Sequence, residues 1–66
     1  MIVKINDTAL ELPDNSTLAD ALSAKEIGTA GIAIAVNSTV VPKDDYATRT
    51  LSDGDNILII RAFYGG

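Results

Sequence analysis

Strand-like hydrophobic patterns lie towards both ends of this chain, and hydrophobic residues fall at helical spacing in between. In "MIVKI" Met1, Val3 and Ile5 share one face while Lys4 takes the other, the period-two pattern of a half-buried strand. Asn6 and Asp7 tolerate positive φ and supply hairpin turn chemistry, after which Leu10 and Leu12 fall together with Glu11 opposite. The period then changes. Leu18, Ala21 and Leu22 lie at i, i+3 and i+4, predicting an amphipathic helix over about residues 17 to 26. Ser16 or Thr17 is placed to cap it, Asp20 adds negative charge to its first turn, and Gly28 suits a left-handed exit.

Alternation returns in "GIAIAVN", where bulky Ile32, Ile34 and Val36 are set against Ala33 and Ala35. The bulky face is expected to meet the helix. Asn37 begins a turn into the short extended piece "TVVP", and "PKDDYA" predicts one helical turn with Pro42 at its start. "SDGDN" is a turn cluster, and "ILII" is the last strand, with Ile57 and Ile59 on one face and Leu58 and Ile60 on the other.

The order is strand, strand, helix, strand, short strand, helical turn, strand. One helix on one face of a mixed sheet is a two-layer α+β solution, with four to five strands. A crossover separates the first strand from the last, so these two can pair in parallel at the centre. That arrangement is the β-grasp, or ubiquitin-like, roll. Residues 1–66 are expected to form a single domain, with 62–66 a flexible C-terminal tail.

Composition narrows the chemistry. With 66 residues, 47% of them hydrophobic and no cysteine, the domain depends on a compact core without disulfide or thiolate-metal support. Histidine is absent too, so the usual nucleophile and general-base pairs cannot be assembled, and no phosphate-binding glycine loop is present. We expect no catalytic residues, no bound cofactor and no metal: not an enzyme. Five Lys plus Arg against nine Asp plus Glu leave a net charge of -4, which disfavours nucleic acid and favours a protein partner with a basic face. No apolar run reaches membrane-spanning length and no signal-like segment opens the chain, so no membrane association and a cytoplasmic location are expected.

Three features remain as candidate sites. Asp53-Gly54-Asp55 lacks the alternating oxygens and closing Glu of a calcium loop, and reads as a turn before a strand. Asp44 and Asp45 read as a solvated face or a helix start. Leu58 and Ile60, with Ile2 on the first strand, point away from the core face; they form either a docking patch or a surface covered by the segments after Asn37. The most specific feature is the end, "RAFYGG". A segment without Cβ atoms threads a narrow channel that side chains at Gly65 and Gly66 would block.

The stretches "GIAIAVNSTVVPKDD" and "SDGDNILII" and the terminal "GG" resemble the sulfur carrier proteins of thiamine biosynthesis, the ThiS family. The resemblance covers length, element order, the Asn37 turn, Val41-Pro42, the Asp53-Gly54-Asp55 turn and Gly65-Gly66. Family members commonly have Arg and Trp where this chain has Lys43 and Tyr46, replacements that keep charge and aromatic character. The resemblance implies that Gly66 is adenylated by a separate ThiF-type activating enzyme using ATP. Sulfur from a cysteine desulfurase persulfide then leaves a thiocarboxylate, which a ThiG-type thiazole synthase consumes. Gly65 would let the tail thread into both enzymes. Leu58 and Ile60, with Phe63 and Tyr64 beside the tail, would dock against each.

Residue chemistry is compatible with this. An ordinary α-carboxyl group titrates at about 3.5, so it is ionised and inert near neutrality until a leaving group is supplied. Lacking cysteine, the chain has no side chain to hold a persulfide. Other readings share the same features: a molybdopterin-type sulfur carrier, a ubiquitin-like modifier, or a regulatory β-grasp binding module. Ala62-Phe63-Tyr64, where molybdopterin-type carriers often have proline, separates this chain from the first of these.

Overall fold

The computed structural model describes residues 1–61, and the expectations placed on residues 62–66 lie outside the described residues. Strands β1 (Ile2–Ile5) and β2 (Thr8–Glu11) form an antiparallel hairpin. Helix α1 (Leu18–Ala24) follows, then β3 (Ile32–Val36), β4 (Thr39–Val41), a 3-10 turn at Lys43–Asp45, and β5 (Asn56–Arg61). The sheet order is β2-β1-β5-β3-β4, so β5 is central. It runs parallel to β1, with Lys4 opposite Asn56 and Ile5 opposite Ile57, and antiparallel to β3. This is the β-grasp topology that the order of periodicities predicts.

Both hairpins turn on two residues of positive φ: Asn6 (46°) and Asp7 (70°) between β1 and β2, Asn37 (50°) and Ser38 (70°) between β3 and β4. Positive φ at both central positions is the requirement of the type I′ turn, whose twist matches that of the strands. Each turn fixes a register, and each register fixes which side chains face the helix.

The core lies between sheet and helix. Val3, Ile34, Val36 and Ile57 from the strands meet Leu18 from α1, all essentially inaccessible to solvent. Each such side chain stabilises the fold by about 1.5–3 kcal/mol through burial. Tyr46 and Leu51, from the segment between β4 and β5, close the rim of this core. The aromatic at position 46 is therefore a packing residue. Pro42 is the N-cap of the 3-10 turn and not its first helical residue, because its ψ of 147° is still extended.

Two details of α1 refine the sequence reading. Thr17, not Ser16, is the N-cap, and its Oγ1 accepts the Asp20 N–H while the Asp20 carboxylate accepts the Thr17 N–H. Asp20 thus completes a reciprocal capping box as well as placing negative charge in the first turn. Ser16 is buried, and its hydroxyl donates to Pro13 O at 2.7 Å. At the other end the left-handed residue is Glu26, with φ 54°, and not Gly28. Glu26 N–H donates to Ser23 O, and Ile27 N–H donates to Leu22 O, the paired bonds of a Schellman motif. The reason is hydrophobic: the exit at position 26 turns Ile27 back onto the core cluster, against which it packs.

Candidate functional site

The structure leaves one face of the sheet without a covering layer among the described residues. Alternation along β5 sends Ile57 and Ile59 toward the helix and Leu58 and Ile60 outward, each of the outward pair 50% exposed. Register decides what surrounds them. Ala33 lies opposite Ile60, and Ala35 lies opposite both Leu58 and Val40 of β4. Directly opposed residues share a face of the sheet. Leu58, Ile60 and Val40 therefore stand around a floor of alanines, and Ala35 is only 7% exposed because the larger side chains flank it.

This differs from the sequence reading in two respects. Val40, 68% exposed, belongs to the patch and was not singled out by pattern, because a three-residue strand gives too little periodicity to assign its faces. Ile2, 51% exposed, faces the same way but does not join it. Lys4 pairs with Asn56, which puts Ile2 four residues back along the strand direction from Leu58, about 13 Å at the usual rise per residue. Lys4 and Asn56 lie between them, and Ile2 borders a shallow hollow with Lys4, Asp7, Asp53 and Asn56. The segments after Asn37 do not fold over the patch: β4 widens the sheet, and the 3-10 turn lies with Tyr46 near α1.

The Asp53-Gly54-Asp55 turn fixes the start of β5. Gly54 takes φ 86°, where a side chain would be strained. The Asp53 carboxylate accepts the Ile2 N–H at 2.7 Å, and Gly54 N–H donates to Ile2 O at 2.8 Å. Buried Asp55 accepts from Ser52 N–H at 2.8 Å and from Asn37 Nδ2 at 2.9 Å, while Asn37 Oδ1 accepts the Asn56 N–H at 3.0 Å. These carboxylates are committed to backbone and side-chain donors, as the turn reading expects. Their effect is to lock the β3–β4 hairpin to the root of β5. Asn37 and Asp55 are the residues whose importance spacing alone did not reveal.

At the far end of β5, Asn6 is the anchor. Its N–H donates to Ile57 O, its Oδ1 accepts the Ile59 N–H at 2.9 Å, and its Nδ2 reaches Ile59 O at 3.4 Å. On the β1 side the central strand is thus held from its root as far as Ile59, with the exposed apolar pair on its open face. Its last residue, Arg61, leads into residues 62–66. Asp44 and Asp45 are exposed at the 3-10 turn, on the solvated surface expected for them. Of the sequence-predicted site residues, Leu58 and Ile60 stand together on the patch, whereas Phe63, Tyr64, Gly65 and Gly66 lie outside the described residues. Among the described residues, no helix is long and apolar enough to cross a membrane.

Comparison with known proteins supplies the frame. The chain is 32% identical over 66 residues to the sulfur carrier protein ThiS of Escherichia coli K12, an alignment covering all of both chains. Its fold superposes on the crystal structure of a thiamine biosynthesis protein, ThiS, from Geobacter metallireducens with a TM-score of 0.83 at 20% identity, covering both chains in full. A solution structure of a thiamine biosynthesis protein from the same organism gives 0.75 at 20% identity, covering all of this chain and 88% of the other. The model of the ThiS family matches residues 2–66, and the chain belongs to that family.

Proposed function

We propose that this chain is the sulfur carrier of thiamine biosynthesis, a protein substrate handed between enzymes and not a catalyst. What carries the reading is that the likeness to the E. coli carrier spans both chains in full, so that it includes Gly65 and Gly66. An adenylating enzyme of the ThiF type converts the Gly66 carboxylate to an acyl adenylate, with pyrophosphate leaving from ATP. The terminal sulfur of a persulfide, itself loaded by a cysteine desulfurase, attacks the acyl carbon and displaces AMP to give an acyl disulfide. A second thiol of the partner enzymes then cleaves the S–S bond, becoming oxidised to a disulfide with the donor cysteine and releasing the thiocarboxylate. A thiazole synthase then takes the sulfur. ATP is bound by the activating partner, and this chain contributes the carboxylate and the surface that presents it.

The geometry supports the division of labour. The patch of Leu58, Ile60, Val40 and the alanine floor is built around the strand that leads to residues 62–66, with Leu58 and Ile60 on that strand itself, so docking this face sets where those residues begin. Phe63 and Tyr64 extend the contact, and Gly65 lets Gly66 reach the reacting groups. The experiment is an intact-mass measurement after incubation with adenylating enzyme, ATP and sulfur donor. A shift matching one oxygen replaced by sulfur, lost on deletion of Gly66, is expected. A Gly66 deletion variant that still turned over ATP with the enzyme would overturn the assignment.

A further inference from the structure

β5 has two flanks, and they end differently. On the β3 side the pairing runs to the tip, with Ile32 opposite Arg61. On the β1 side the backbone pairing ends at Ile5 opposite Ile57, and Asn6 extends it by one step through its side-chain bonds to Ile59. There the chain turns away through Asp7 into β2.

Strand alternation decides where the next polar groups point. Asp55 and Ile57 carbonyls accept from Lys4 and Asn6, and Ile59 bonds the Asn6 amide, so odd-numbered residues of β5 address the β1 side. Asn56 bonds to Asn37, so even-numbered residues address the β3 side. The Arg61 N–H and C=O therefore point past the hairpin turn, where no strand lies among the described residues. Among the described residues they form an unpaired strand edge beside the apolar patch, in a residue that is exposed.

We propose that this flank receives an extended segment of the adenylating partner, which pairs with Arg61 as an added strand. The inference rests on the carrier reading above and names how the root of the tail is held. Such addition gives affinity through main-chain hydrogen bonds and selectivity through alternate side chains. Here the neighbouring chemistry is legible. The segment places an apolar side chain beside Ile60 on the open face and an acidic one beside the Arg61 guanidinium on the other, since opposite charges on neighbouring strands are favourable. A strand docked at this point fixes the direction in which the chain leaves the domain, which apolar contact alone does not.

The test removes the donor while keeping the side chain. A chemically assembled chain carrying N-methylarginine at position 61 is compared with the unmodified chain and with Arg61→Pro and Arg61→Ala. Dissociation constants for the cognate ThiF-type adenylating enzyme are measured by calorimetry, with ATP–pyrophosphate exchange alongside. Loss of one hydrogen bond, with a methyl group blocking the approach, is expected to weaken binding about tenfold. Arg61→Pro should follow it, and Arg61→Ala, which keeps the N–H, should show a smaller and salt-dependent loss. Thermal unfolding of the N-methyl chain should match the unmodified one, because no internal acceptor is lost. Equal affinity of the two chains overturns the added strand and leaves the carrier reading standing. A fall in unfolding temperature on N-methylation would reveal an internal partner for the N–H and overturn it as well. Failure of the unmodified chain to bind the enzyme or support exchange would sink both.

Discussion

Replacing Leu58 tests the proposed docking face at its centre. The side chain is half exposed, so about half of the 1.5–3 kcal/mol available from burying a leucine is still to be gained on docking. Leu58→Ala should therefore weaken binding to the adenylating enzyme by about 1 kcal/mol, roughly fivefold. Leu58→Asp adds the desolvation of a carboxylate on an apolar floor, an effective penalty of several kcal/mol, and should weaken binding on the order of a hundredfold or more. The fold should survive both, since Leu58 contributes nothing to the helix-side core. Its intramolecular contribution is to shield Ala35, and uncovering that methyl should cost about 0.5–1 kcal/mol, roughly 4–7 °C in Tm for a domain of this size. Calorimetric titration and thermal unfolding of the same preparations separate the two effects. A folded Leu58→Asp protein that binds within twofold of the unaltered chain would remove the open face from the interface.

Other perturbations address what holds that face in place. Glu26→Gly relieves a left-handed residue whose cost is about 1–2 kcal/mol, against a glycine entropy penalty of about 0.5–1, so it should stabilise the domain modestly, by a few degrees in Tm. A lower Tm would mean that the Glu26 side chain makes a contact that outweighs the strain. Asp55→Ala strands the Ser52 N–H and the Asn37 amide and should cost about 2–4 kcal/mol in denaturant unfolding, with slopes unchanged. Thr17→Ala opens the capping box and should cost about 1 kcal/mol by the same measurement; a change below a few tenths would show that Asp20 alone suffices.

The element order was legible because period changes from two to 3.6 and back within a short chain, and each change is marked by turn residues. Leu58 and Ile60 could be assigned outward from alternation alone once Ile57 and Ile59 were assigned inward. What pattern could not supply was register. Whether Ile2 or Val40 neighbours Leu58 depends on how strands distant in sequence align, and no local property of "MIVKI" or "TVV" contains that alignment. The helix exit shows a different limit. Gly28 has the right conformational freedom, but the exit is set by where Ile27 must land, and the chain tolerates a strained glutamate to place it. Tyr46 was visible as an aromatic, and Asp55 as part of a turn. Their burial follows from the way the segment after β4 folds against α1 and β5, which only the assembled structure displays.

The central strand is also the last one, and this bears on how the protein is made. β1 and β2 can form a hairpin as soon as they emerge during synthesis, and so can β3 and β4. The two hairpins have no sheet contact with each other until β5 slots between them. Loop closure across nearly the whole chain must then precede the parallel pairing of Lys4 and Ile5 with Asn56 and Ile57. A nascent chain lacking β5 holds two separate ribbons and an unanchored helix, none stable alone. Closure of the sheet and assembly of the apolar patch are therefore one event: only a chain whose sheet has closed holds its last strand in place, with Leu58 and Ile60 set beside the alanines of β3.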